Sequence, residues 1–126
     1  MQSNVVNWFE IPVKDMERAT KFYEAILGVK LDHHKMDELE MAWFPMMQDK
    51  PGATGSLVKH DEWYQPSMQG SLIYFSAPSG DLDNELKKVE EAGGKVFMPK
   101  KAIGEWGFIG IFGDSEGNRV AFHSMK

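Results

Sequence analysis

The sequence repeats itself once, with the same order of helix signals in each half. In the first half Asp15 stands where a helix N-cap belongs, apolar residues recur every three or four positions after it, and Gly28 stands where the helix ends. In the second half Asp81 and Gly94 take the same places, each 66 residues later. This repetition constrains the whole fold, because both halves are expected to form the same unit and neither is large enough to bury a comfortable core alone.

Extended segments flank both predicted helices in the same arrangement. A run rich in Val, Ile and aromatic residues precedes each helix and three shorter runs follow it, so each half is predicted to be a βαβββ unit. The predicted strands are 5–13, 29–36, 40–47 and 54–59 in the first half, and 71–77, 95–98, 106–113 and 119–124 in the second.

The two halves are joined by a polar connector over 60–70, which contains a proline and a glycine and is predicted to be a loop. The chain has 126 residues, of which 42% are hydrophobic, so it can bury one core but has no room for a second large domain. We therefore expect one α+β domain over 1–126, with module one at 1–60 and module two at 71–126.

One helix cannot cover both faces of a four-stranded sheet, so the second face is left for the sister sheet, a ligand or another chain. Alternation along the first strand directs Phe9, Ile11 and Val13 towards the helix, and Trp8 and Glu10 towards the other, concave face. We expect the curved mixed sheets to form a cup lined by such concave residues.

The same alternation sorts the residues of the second module. In the last strand, Val120 and Phe122 are expected to pack on the helix, and Arg119, Ala121 and His123 to face the cup. In the strand at 71–77 we expect the concave set to be Ser71, Ile73 and Phe75, and the helix-facing set to be Leu72 and Tyr74.

The charge balance and the absence of cysteine exclude several classes of protein. A net charge of −5 argues against nucleic-acid binding, which needs a surplus of Lys and Arg on one face. The apolar run at 41–47 is too short to span a membrane, and the N-terminus does not resemble a secretory signal. With no cysteine, disulfides and thiolate chemistry are excluded, and a soluble cytoplasmic protein is expected.

Four motifs, two in each half, resemble those of one known family. They are FEIPVKDMERA at 9–19, KFYEAILG at 21–28, VEEAGGKV at 89–96 and GDSEGNRV at 113–120. Over nearly the whole chain they resemble the vicinal oxygen chelate superfamily of glyoxalase I, bleomycin-resistance proteins and extradiol dioxygenases. The segments at 55–59 and 103–108 are most similar to a glyoxalase-related branch of poorly defined chemistry. The resemblance implies paired βαβββ modules that form a cup, often in homodimers, but it implies no particular activity.

The metal enzymes of this family bind their ion with four ligand residues. One lies on the first strand, one lies late in the first module, and the other two occupy the matching positions of the second module. By motif offset these positions fall on Trp8, Ser56, Ser71 and Ala121. A divalent cation needs at least three good donors, and an indole, two hydroxyls and a methyl group do not supply them. We therefore expect neither a metal ion nor another cofactor in the cup.

The four histidines offer little alternative chemistry. His33 and His34 are adjacent in a predicted strand and point to opposite faces, so one is expected to be exposed and the other half-buried. His60 begins the connector, where a surface position is expected. His123 is either a hydrogen-bonded strand residue or a base in the pocket.

Glu10 leaves two interpretations open. A carboxylate on the inner side of a strand either pairs with Arg119 or lines a wet pocket. If apolar walls desolvate Glu10, its pKa rises and the carboxyl group could transfer protons without a metal.

Aromatic residues near the predicted cup form either the core or a binding surface. Trp106 is the member that least resembles a core residue, because glycines flank it at 104–107 and favour a loop at the rim. The full set is Trp43, Phe44, Trp106, Phe108 and Phe112.

Two functional hypotheses follow. A third hypothesis is that the chain is a module that only dimerises or docks on a partner. In the first, the cup binds a small, partly aromatic organic molecule, neutral or cationic, without metal or chemistry. In the second, the protein is a metal-free glyoxalase-related lyase or isomerase that moves protons with Glu10 and His123. Metal-dependent glyoxalase I activity is not expected. The candidate ligand-binding residues are Trp8, Glu10, Trp43, Ser56, Ser71, Trp106, Ala121 and His123.

Overall fold

Both halves of the chain fold into the predicted βαβββ unit. The structure is a computed structural model that describes residues 4–126, so the first three residues of module one lie outside the described part. Module one consists of β1 (Trp8–Pro12), α1 (Met16–Leu27), β2 (Asp32–Met36), β3 (Leu39–Trp43) and β4 (Thr54–Lys59). Module two consists of β5 (Ile73–Ser76), α2 (Leu82–Ala92), β6 (Lys95–Ala102), β7 (Phe108–Gly113) and β8 (Arg119–Ser124), with a 3-10 turn at Gly104–Trp106 before β7.

The two sheets have the same topology. Their strand orders are β1-β4-β3-β2 and β5-β8-β7-β6, and in each sheet the outer strand β1 or β5 is parallel to its neighbour while the other pairs are antiparallel. The prediction of an α+β fold with two mixed four-stranded sheets is therefore confirmed. We call the sheet face that points away from α1 and α2 the open face.

Local chemistry sets the limits of both helices. The Asp15 carboxylate accepts the Arg18 backbone N–H at 3.0 Å, and Gly28 ends α1 in the left-handed region with φ 66°. Asp81 caps α2 in the same way, but Gly93 rather than Gly94 is its left-handed C-cap, with φ 110°. Neither α1 nor α2 has the length and continuous apolar sequence of a membrane-spanning helix.

A single core combines the apolar residues of both modules. Phe9 of β1, Phe44 after β3 and Phe75 of β5 form a triangle in which every pair of ring centroids is 5.6 Å apart. Tyr23 of α1 is fully buried against Phe44 and Phe75. Since Phe75 belongs to the second module and the other rings to the first, the two units share their hydrophobic interior.

The expected faces of β5 are wrong. Ile73 and Phe75 pack against the core rather than facing the cup, and Tyr74, expected on the helix side, is 48% exposed. The cause is the pairing with β8, which sets Ile73 opposite Val120 and Phe75 opposite Phe122. A difference of one residue in register moves every side chain of a strand to the other face.

Several strand limits also differ from the prediction. β3 ends at Trp43 because Pro45 cannot continue the ladder. Residues 44–53 therefore form a loop before β4. β6 runs on to Ala102 through two irregularities in its pairing with β7, which the apolar pattern does not show. The limits of β4 and β8 agree with the prediction.

Candidate functional site

The open face of module one places two tryptophans side by side. Trp8 of β1 and Trp43 of β3 lie on opposite sides of β4, and their rings meet edge to face with centroids 5.6 Å apart and planes at 80°. Both side chains are half-buried, so each keeps some ring surface free. Ser56 of β4 lies between them, opposite Trp43 on one side and Glu10 on the other.

His34 extends this aromatic surface. Its ring lies over Trp43 with a centroid distance of 4.0 Å, and its Nε2 is 3.0 Å from Asp32 Oδ2. His34 is half-buried and His33 is exposed, as the alternation in β2 predicts. The neighbouring Asp32 carboxylate adds a second negative charge to this side of the open face.

Glu10 is held by two donors. The Tyr64 hydroxyl donates to Oε1 at 2.6 Å, and the Trp8 indole N–H donates to Oε2 at 3.4 Å. The hydrogen bond to Glu10 is the main reason why the pKa of Tyr64 lies above its ordinary value of 10.0. Tyr64 lies in the connector, which therefore reaches the open face. No pattern in the connector identified this residue, because its partner is 54 positions away.

Glu10 and Arg119 line one cavity of about 270 Å³ without forming an ion pair. The first alternative for Glu10 is therefore wrong, and the second, a carboxylate that lines a pocket, agrees with the structure. Arg119 instead donates from Nη2 to the Gly70 carbonyl at 3.2 Å, while its buried Nε has no partner in the described chain. Ser71 lines the same cavity from its place just before β5.

His123 lies apart from this cavity. Its Nε2 is 2.7 Å from the Trp106 carbonyl oxygen, and because a carbonyl can only accept, this nitrogen carries the proton. Within residues 4–126, no hydrogen bond links His123 to Glu10, and His123 does not line the cavity that holds Glu10. Of the two interpretations of His123, a hydrogen-bonded strand residue fits this geometry and a base in the pocket does not.

The remaining aromatic candidates divide into core and surface. Phe44 and Phe112 are buried in the core, and Phe108 packs against it. Trp106 is 68% exposed in its 3-10 turn, and its carbonyl accepts from His123, so it lies at the surface of module two.

The residues at the family's metal positions do not fit a metal ion. Ser56 and Ala121 are fully buried, and the Ser56 hydroxyl donates to the Leu57 carbonyl at 2.6 Å. The Trp8 N–H is a donor only and cannot coordinate a cation. In the described part of the chain, no group of three or more His, Cys, Asp or Glu residues is placed to hold an ion.

Comparison with known proteins identifies the class that this architecture defines. The chain belongs to the Glyoxalase/Bleomycin resistance protein/Dioxygenase superfamily, whose profile matches residues 5–122. Comparison with curated proteins finds no match.

Solved structures with the same fold include two of similar length. A glyoxylase/bleomycin resistance protein/dioxygenase domain from Frankia sp. EAN1pec is 20% identical over 100% of both chains, with a TM-score of 0.75. TnmS3, an antibiotic binding protein from Streptomyces sp. CB03234, is 26% identical over 98% of both chains, with a TM-score of 0.64.

Glyoxalase I from Zea mays is 19% identical over 94% of this chain, with a TM-score of 0.69. The chain spans only 45% of the length of that enzyme, so this likeness concerns the fold.

Proposed function

We propose that the protein binds a small, partly aromatic organic molecule on the open face of module one, without a metal ion. The observation that carries this proposal is the corner formed by Trp8 and Trp43, with planes at 80° and the Glu10 carboxylate beside it. A planar ligand that stacks on one indole meets the edge of the other, and both are favourable aromatic geometries.

Charge favours a neutral or cationic ligand with a hydrogen-bond donor. Glu10 and Asp32 both lie on this part of the open face, and the chain carries a net charge of −5. Glu10 already accepts bonds from Tyr64 and Trp8, so it is oriented before the ligand arrives. A carboxylate fixed in this way loses little freedom on binding, which strengthens the contact it makes.

The likeness to TnmS3 supports a binding role. TnmS3 is an antibiotic binding protein, and its likeness to this chain extends over 98% of both chains. Drug-sized aromatic molecules are a suitable ligand class for a surface built from two indoles and a carboxylate. We also expect a homodimer, since the resemblance to the superfamily implies that such modules often pair.

The second hypothesis, a metal-free lyase or isomerase, has less support. It needs Glu10 and His123 near the same substrate carbonyl, whereas Glu10 lines a cavity without His123. The His123 Nε2 proton is also already donated to the Trp106 carbonyl. No contact in the structure favours this reaction over binding alone.

Titration with proflavine, a planar aromatic cation, tests the proposed site. Fluorescence anisotropy in EDTA-containing buffer gives the dissociation constant for the wild type and for Trp8→Leu and Trp43→Leu. Each replacement removes one wall of the indole corner, and we expect affinity to fall about tenfold, equivalent to about 1.4 kcal/mol.

Trp63→Leu is the matched control, because Trp63 is 79% exposed in the connector and forms no aromatic ring pair with Trp8 or Trp43. Its affinity for proflavine should equal that of the wild type. Equal affinities for all three variants, or no binding by the wild type, would contradict the proposed site.

A further inference from the structure

A second cavity lies on the helix side of the sheet, under the loop at 44–53. Its volume is about 460 Å³, within the range of about 300–1,000 Å³ that is common for small-molecule sites. The triangle of Phe9, Phe44 and Phe75 supplies its aromatic wall, and Leu27 and Val29 at the end of α1 supply an aliphatic one. We call it the loop cavity; its aromatic wall belongs to the core side and not to the open face.

The base of the loop is fixed by hydrogen bonds. The Thr54 hydroxyl donates to the Pro45 carbonyl at 2.9 Å, and the Phe44 N–H donates to the Gly55 carbonyl at 2.9 Å. Towards the tip, Met46 and Met47 are largely exposed and also line the cavity. A fixed base with flexible thioether side chains at its edge suits a site that accepts ligands of differing shape.

The charge of the lining selects one kind of ligand. Lys50 is the one charged residue among those that line the cavity, and in the described chain it forms no ion pair. The other polar lining residues, among them Asn7, Gln48 and Ser76, are neutral. Asp49 precedes Lys50 in the loop but does not line the cavity. An ammonium group in a lining with no other charge favours an anion there.

We infer that the loop cavity binds a small apolar carboxylate, with its hydrophobic body against the Phe9–Phe44–Phe75 triangle and its carboxylate at Lys50. This site is separate from the proposed binding surface on the open face, because none of Trp8, Glu10 and Trp43 lines the loop cavity. The inference does not depend on the proposed function.

The probe is 2-naphthoate, compared with the neutral 2-naphthol of similar size. In protein labelled with ¹³C at the methionine methyl groups, we expect 2-naphthoate to shift the signals of Met46 and Met47 and to leave that of Met98 in module two unchanged. Lys50→Gln should weaken 2-naphthoate binding five- to tenfold and bring it close to that of 2-naphthol.

Three further variants separate the possible outcomes. Lys35→Gln removes an exposed lysine of β2 that does not line the cavity, and it should leave the affinity unchanged. Trp8→Leu should also leave it unchanged, which distinguishes this site from the open face. Val29→Trp should fill the cavity and abolish the shifts at Met46 and Met47.

The inference is overturned if saturating 2-naphthoate leaves both methionine signals in place, or if 2-naphthol binds as tightly as 2-naphthoate. Loss of binding in Trp8→Leu would also overturn it, by assigning the probe to the open face.

Discussion

Glu116 is one of the residues that tie the two modules together through polar contacts. Its carboxylate, in the turn before β8, accepts the backbone N–H groups of Lys14 and Asp15 at 2.9 and 2.8 Å. It also pairs with the Arg18 guanidinium at 2.7 Å, and its side chain is fully buried. A carboxylate at the start of α1 stabilises the positive end of the helix dipole. The turn before β8 of module two therefore completes the first helix of module one.

These contacts set the acid sensitivity of the fold. Burial acts to raise the pKa of Glu116, but the Arg18 guanidinium and the amides of Asp15 and Lys14 hold it at about 2, below its ordinary value of 4.5. Because the folded-state pKa is depressed, the stabilisation is complete above pH 4.5 and is lost as the pH falls towards 2.

Glu116→Gln should therefore lower the free energy of unfolding at pH 7 by about 1–2 kcal/mol, a figure that allows for solvent around the Arg18 side of the pair. Urea denaturation at several pH values measures it. The difference from the wild type should shrink as the pH falls from 4.5 towards 2.

Glu17→Gln is the matched control, because the Glu17–Lys21 pair is exposed on α1 and should contribute under about 0.5 kcal/mol. A loss in Glu116→Gln no larger than in this control, or one that does not change with acid, would contradict this role of Glu116.

At the level of single residues, the sequence predicts side chains placed by strand alternation and misses those placed by distant loops. Alternation in β1 was enough to bring Trp8 and Glu10 to the open face. The bond from Tyr64 to Glu10 could not be predicted, because it depends on the path that the connector takes across the sheet. The role of Glu116 was missed for the same reason, since its partners are about 100 positions away.

Among the elements, the parallel strands β1 and β4 pack so closely that one position requires glycine. Gly55 of β4 faces Phe9, and a Cβ atom there would lie 2.2 Å from the Phe9 carbonyl oxygen and 2.6 Å from its ring. These distances are well below van der Waals contact, so no side chain fits without separating the strands. The glycine thus allows Phe9 to take its place in the aromatic triangle.

Gly55→Ala should destabilise the protein by about 3 kcal/mol, because the new methyl group displaces Phe9 or the strand itself. Thermal denaturation followed by circular dichroism measures the effect. Gly70→Ala is the control: nothing lies within 4 Å of a Cβ at Gly70, so its melting temperature should be close to that of the wild type. Similar melting temperatures for both variants would contradict the close packing of β1 on β4.

The elements themselves were largely predictable, and the errors arise where pairing overrides the local pattern. The helices follow from their caps and apolar spacing, and β4 and β8 have the predicted limits. Alternation alone does not show which face of β5 is buried, because Ile73, Tyr74 and Phe75 all have large side chains. Only the register with β8 decides that Tyr74 is the exposed one.

For the whole molecule, the repeat in the sequence was sufficient to predict the architecture. The two βαβββ units share one core, and the superfamily match over residues 5–122 confirms the resemblance. The loop cavity was not predicted, because its walls come from β1, α1, the loop at 44–53 and β5 together. A cavity formed by four separate segments has no signature in any one of them.

We propose that this member of the superfamily binds an organic molecule without a metal ion. Native mass spectrometry of protein purified without added metal, then mixed with equimolar Zn²⁺, Ni²⁺ and Mn²⁺ or with proflavine, tests it most directly and also gives the oligomeric state. We expect one proflavine per chain and no stoichiometric metal, because Trp8, Ser56 and Ala121 stand where metal ligands would be needed. A divalent ion retained at one per chain, with no proflavine adduct, would contradict it.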